Sequence, residues 1–141
     1  MSDILYKELS DEIIGACIEV HKLMGPHLSE KIYEACVQKE LATKGHDAER
    51  QKLIDIFYKG EKLNEQYRID MLVANMIIVE FKTVPDLDDS HVRQILSYLE
   101  VSIYEVGYLV NFSQNRLQFQ RFILQNDRKK YKPAGNGNSI T

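Results

Sequence analysis

The chain has 141 residues, 44% hydrophobic and 28% charged, the balance of one globular domain able to bury its own core. A formal net charge of −3 offers no overall attraction to a polyanion, so contact with nucleic acid would need a local patch. Cys17 and Cys36 have no C-x-x-C spacing, no apolar run is long enough to cross a membrane, and "MSDILYKELSDEIIG" is too acidic for a signal peptide. These features point to a cytoplasmic protein with reduced core thiols and no membrane partner.

In chain order, "LSDEIIGACIEVHKLMGP" reads as a helix capped by Ser10 and stopped by Gly25-Pro26. Ile13, Ile14, Cys17, Ile18 and His21 recur on one face, with His21 expected as a packed core histidine. "LSEKIYEACVQKELATKG" is a second helix, capped by Ser29 and ended at Gly45, with a stripe of Ile32, Tyr33, Cys36, Val37 and Leu41. The period then falls to two. "ERQKLIDIFYKGEKLNEQYRIDMLV" gives two strands around a Lys59-Gly60 turn, and "MIIVEFKTV" a third, entered through Ala74-Asn75.

"PDLDDSHVRQILSYLEVS" opens with Pro85 and several capping candidates, then forms a helix on Val92, Ile95, Leu96 and Leu99. "EVGYLVNF" is a short strand and "RLQFQRFIL" a last one. A helix between the third and fourth strands implies a parallel crossover beside an antiparallel meander, hence a mixed α/β sheet. One domain is expected over residues 1–125, with a flexible basic tail over 126–141.

Period two also arranges the charges. Glu80 and Lys82 share one face of "EFK", and Arg68 and Asp70 share one face of "YRIDM", opposed by Tyr67, Ile69 and Met71. If the Asp70 and Glu80 faces coincide, the carboxylates repel unless a cation lies between them, and Mg²⁺ or Mn²⁺ suits such oxygen ligands. The plainer alternative is a solvent-facing strand with a Glu/Lys pair. His91, Gln94 and Tyr98 lie along one face of the later helix, so Gln94 could reach the same cleft. Glu30 and Tyr33 share a face of the second helix, where Glu30 is either a third ligand or an acid favoured by the helix dipole. Arg116, Arg121, Arg128, Lys129, Lys130 and Lys132 make the last third basic, read either as a solvated surface or as a nucleic-acid arm.

In this order the residues resemble the PD-(D/E)xK nuclease superfamily and, more narrowly, its GxxExxY family. The resemblance runs through "IIGACIEVHKLMGPHLSEKIYEACVQKEL", "YRIDMLV", "IIVEFKTV", "HVRQILSYL" and "GYLVNF". It implies a restriction-endonuclease-like α/β core of helix, three strands, helix and strand, with an extra N-terminal helix. It also implies Mg²⁺- or Mn²⁺-dependent hydrolysis of nucleic acid, DNA rather than RNA, and is compatible with a homodimer. Carried over by position, Asp70, Glu80, Lys82 and Gln94 are catalytic, and Glu30, Asp70, Glu80 and the Phe81 carbonyl bind metal. Tyr33 is the companion of Glu30 and a substrate contact; from their own positions, Arg68 is either a phosphate contact or a salt-bridge partner of a nearby acid, and His91, near the cleft, is a candidate phosphate contact. His27 stands where the family has its first Gly, and Ile69 replaces the Pro before Asp70. A non-catalytic module binding nucleic acid or protein on the same fold is the alternative.

Overall fold

The structure, a computed structural model, describes residues 6–131. Helices α1 (Lys7–Met24) and α2 (Glu30–Thr43) precede strands β1 (Ala48–Tyr58), β2 (Glu61–Val73) and β3 (Ile77–Lys82). Helix α3 (Asp89–Val101), strands β4 (Val106–Asn111) and β5 (Gln118–Ile123), and a 3₁₀ turn (Asn126–Arg128) follow. The strands lie side by side in chain order, antiparallel except for the parallel β3–β4 pair that α3 connects. The expected mixed sheet is therefore present.

Turn chemistry sets the meander. Lys59 and Gly60, the two residues between β1 and β2, both have positive φ, and so do Ala74 and Asn75 of the three-residue β2–β3 connection, the turn geometry that matches strand twist. The sheet carries a core on each face. Val79, Phe81, Tyr108 and Val110 pack with Ile13, Cys17, Tyr33 and Leu41 of α1 and α2. Ile78 and Leu109 pack with Ile95, Tyr98 and Leu99 of α3. β4 is buried along its whole length, as a central strand covered on both faces must be. Helix α3 lies so close to β4 that a Cβ on Gly107 would stand 2.8 Å from Ile95 Cδ1. That close approach fixes the helix bearing Gln94.

Several expectations need correction. α1 begins at Lys7, so Ser10 is a buried helical residue whose hydroxyl has no partner among the described residues, not a cap. Ser29 stands at the α2 N-cap without a side-chain bond. Ile18 and Ile32 are 49% and 45% exposed, because each helix turns a narrower stripe inward than the apolar residues suggest.

The strict alternation around Asp70 also fails. Ile69 packs in the α3 core while Met71 packs in the α1/α2 core, so β2 changes faces between them. The start of the supposed tail is docked. Lys129 is buried and its Nζ donates to the carbonyls of Ser102 at 2.8 Å and Tyr104 at 2.6 Å. The Tyr131 hydroxyl accepts from the Phe57 amide at 2.6 Å, where the β1–β2 register shifts. Residues 132–141, the rest of that expectation, lie outside the described residues.

Burial pushes the Lys129 ammonium down to about 8. The folded state thus releases this proton well below the usual lysine range, and stability should rise with pH from about 8 to about 10.4. Urea titrations between pH 8 and 10 should show that rise in the wild type and its loss in Lys129→Met.

Candidate active site

The β2–β3 ladder runs from Val73↔Ile77 to Met71↔Val79 and stops. One step further, Asp70 and Glu80 would be the next pair. Here side chains replace the ladder. The Asp70 amide donates to Glu80 Oε2 at 2.7 Å, and the Phe81 amide donates to Asp70 Oδ2 at 2.9 Å. Burial, and next the charge of Asp70, push Glu80 up to about 9, so Glu80 keeps its proton near neutrality.

Lys82 and Gln94 complete this corner. Lys82 Nζ donates to Gln94 Oε1 at 2.7 Å, and its charge favours ionised Glu80. Asp70, Glu80, Lys82 and Gln94, expected as catalytic from the sequence, thus lie around the end of β3 as two directly bonded pairs, with the Lys82 charge acting on Glu80. Glu30 approaches the same strand, but its Oε2 accepts the Thr83 amide at 3.2 Å. Among the described residues, no three His, Cys, Asp or Glu side chains form a ready-made metal cage, so Glu30 does not close a triad with Asp70 and Glu80.

The pair nonetheless fits a hard divalent ion. Mg²⁺ commonly takes one or two carboxylates and fills its other positions with water or phosphate oxygen. The proton that Glu80 retains beside Asp70 marks a place where positive charge is favoured. Asp70, Glu80 and the Phe81 carbonyl are the groups that would hold the ion.

The residues expected to meet substrate fare differently. Arg68 is exposed on β2. His91 is used locally: its Nδ1 accepts the Asp88 amide at 3.0 Å in the capping box that starts α3, while the ring edge stays partly exposed. Tyr33 cannot meet substrate. It is fully buried, stacked on Phe112 at 4.2 Å, and its hydroxyl donates to the Gly25 carbonyl and accepts from the Leu28 amide. It ties the α1–α2 connection in place of binding a ligand.

Two groups at this corner received no role from the sequence. Glu34, one turn beyond Glu30 on α2, is buried, and burial followed by the charge of Asp70 raises its carboxyl. Tyr98, one turn beyond Gln94 on α3, has its phenol raised by burial and then by Glu80 and Asp70. The i to i+4 spacing from Glu30 and Gln94 was the signal available for both.

Two measurements test this geometry. Tyr33→Phe keeps the stack and removes the hydroxyl, and should lose about 1–3 kcal/mol in urea unfolding. Glu80's folded pKa lies above its unfolded value, so its contribution is complete at acid pH and erodes as pH rises towards 9. In metal-free protein Glu80→Gln should be more stable than wild type at pH 8 by at least about 1 kcal/mol, with the margin vanishing near pH 5.

No curated protein matches this chain. A solved structure titled "Crystal structure of SSO0001" is similar at 21% identity and a TM-score of 0.52, covering 85% of this chain and 58% of that one. This likeness concerns the fold, and the chain spans a little over half the length of that protein. Among the described residues, no helix is long and apolar enough to cross a membrane. The family description "PD-(D/E)XK nuclease superfamily" matches residues 7–122, a span holding both carboxyls, Lys82 and Gln94 on a five-stranded mixed sheet flanked by helices. The chain therefore belongs to the PD-(D/E)XK nuclease superfamily and has its restriction-endonuclease-like fold.

Proposed function

We propose that this protein is a Mg²⁺- or Mn²⁺-dependent nuclease that hydrolyses phosphodiester bonds, with DNA as the preferred substrate. The observation that carries the reading is the pairing of half-buried Asp70 with buried Glu80, with Lys82 and Gln94 beside it. Within the superfamily the H-x-x-E-x-x-Y stretch from His27 to Tyr33 supports placement in the GxxExxY family. The free thiols Cys17 and Cys36 suit a reducing cytoplasm.

Asp70, Glu80 and the Phe81 carbonyl would hold the ion, with Glu30 reaching it through water. When bound, the ion supplies Lewis-acid polarisation of the phosphoryl oxygen and lowers the pKa of water. Lys82 holds the attacking water with its ammonium and offsets the negative charge that develops on the phosphoryl group. Gln94 accepts one ammonium proton and so fixes the direction of the other two. Glu80 would give up its proton to solvent before it could ligate. Arg68, exposed on the strand that carries Asp70, is placed to meet a phosphate of the substrate backbone.

Incubation of labelled single- and double-stranded DNA and RNA with Mg²⁺ or Mn²⁺ tests the reading. Cleavage should require the metal and stop with a chelator. Lys82→Ala and Glu80→Gln should lower turnover by roughly 10²–10⁴-fold with folding retained, and Gln94→Ala by roughly 10-fold. Near-normal cleavage by Lys82→Ala would remove that residue from the chemistry. Metal-independent binding of nucleic acid without cleavage would favour the non-catalytic module.

A further inference from the structure

Gln51 plays no part in the chemistry above, yet its backbone is unusual. It sits within β1 with φ +55°, a left-handed conformation that residues other than Gly, Asn and Asp rarely adopt in a strand. The β1–β2 register pairs Arg50 with Met71 and Lys52 with Ile69, and skips the pair between them. That skipped pair is Gln51 and Asp70.

Both strands change faces at this point. In β1, Ala48 packs in the α1/α2 core and Ile54, of the same parity, in the α3 core. In β2, Met71 lies in the first core and Ile69 in the second. An unbroken strand would keep each of these pairs on one face. The ribbon of β1 and β2 thus turns over at the Gln51–Asp70 level. The turn releases Asp70 from β1 and leaves its amide and carboxylate to bond β3.

The turnover is held from α2. Glu34 Oε1 accepts Gln51 Nε2 at 3.1 Å and Arg50 Nε at 3.3 Å, and Arg50 Nη2 donates to the Lys31 carbonyl at 3.3 Å. Glu34 is 2% exposed, so the acceptor end of its two bonds is shielded from water, whereas the Arg50 bond to Lys31 is exposed. We propose that Glu34 and Gln51 are positioning residues for Asp70. Glu34 clamps the side chain of the reversed residue, the ribbon turns over there, and Asp70 is thereby aimed at Glu80. The functional consequence rests on Asp70 being a metal-binding acid, whereas the geometry stands without it.

The experiment reads the metal-free protein first. Amide hydrogen exchange at Asp70 and Phe81 reports the two bonds that the turnover permits. Gln51→Gly retains the left-handed backbone and removes the clamped amide. Glu34→Ala removes the clamp, and Glu34→Gln restores an oxygen acceptor of the same shape. In Gln51→Gly and Glu34→Ala those two amides should exchange about 10-fold faster while the β3–β4 ladder is unchanged, with Glu34→Gln near wild type. Mn²⁺ affinity, followed by amide broadening, should fall roughly 10-fold in the same two variants and recover in Glu34→Gln.

Unchanged exchange at Asp70 and Phe81, or a uniform rise across the sheet, would overturn the proposal. So would Glu34→Gln behaving as Glu34→Ala, since the negative charge and not the acceptor would then matter. Local exchange changes as expected in a protein that binds no Mn²⁺ would uphold the positioning role and reject the metal reading.

Discussion

Everything at the candidate site depends on one substitution of bonding: where the β2–β3 ladder ends, carboxylates take the place of carbonyls. Asp70 and Glu80 each accept an amide from the other's strand, so two acids are brought together without leaving backbone donors unpaired. A regular antiparallel pair would have satisfied those amides with backbone oxygens and turned the acids outward. The exchange keeps the strands linked beyond the point where the backbone ladder stops. Its electrostatic cost is visible in Glu80, whose proton affinity rises because burial and Asp70 both oppose its charge.

The end of β3 is held from several sides, which keeps that exchange in register. The Phe112 amide donates to the Lys82 carbonyl at 2.9 Å. The buried Asn111 side chain imitates a strand neighbour for Val84, accepting its amide at 3.1 Å and donating to its carbonyl at 2.8 Å. Glu30 takes the intervening Thr83 amide. Three successive residues thus have their backbones fixed by β4 and α2. Phe112 also stacks on Tyr33 and Phe81, so the same residue joins polar and apolar support. Lys82 is presented from this rigid edge, and Gln94 meets it from a helix packed at contact distance on Gly107.

Much of this was legible in the sequence. Period changes located all the helices and strands of the described sheet, and the turn residues Lys59-Gly60 and Ala74-Asn75 marked the hairpins. Asp70, Glu80, Lys82 and Gln94, which the resemblance grouped, lie at one end of β3 because each is fixed by short spacing from an apolar strand or helix face. The misses have a common physical origin. Tyr33 looked available because a motif position carries no information about burial, and its hydroxyl was already used by the backbone. His91 was read as a ligand contact although D-x-x-H at a helix start equally describes a cap. The face change at Asp70 was invisible because alternation presumes an unbroken strand, and Gln51 carries no signal of a left-handed backbone. The docking of Lys129 was hidden for a similar reason, since a basic stretch gives no hint that one lysine finds two interior carbonyls.

The charge balance at the corner bears on how a phosphate could approach it. Asp70 acts electrostatically on both Glu34 and Glu80, and Lys82 is the cation acting on Glu80 while Arg50 is drawn to Glu34. A chain with net charge −3 that gathers acids here repels a phosphodiester, both globally and at the point of reaction. A single ammonium cannot reverse that field and also hold a nucleophile. Under the proposed function a divalent ion would do so, because it would bring two positive charges to the Asp70–Glu80 pair and leave Lys82 for the water. The acids that make this corner unfavourable for a polyanion are then the feature that would make it selective for a cation first, and electrostatics would set the order of binding, cation before substrate.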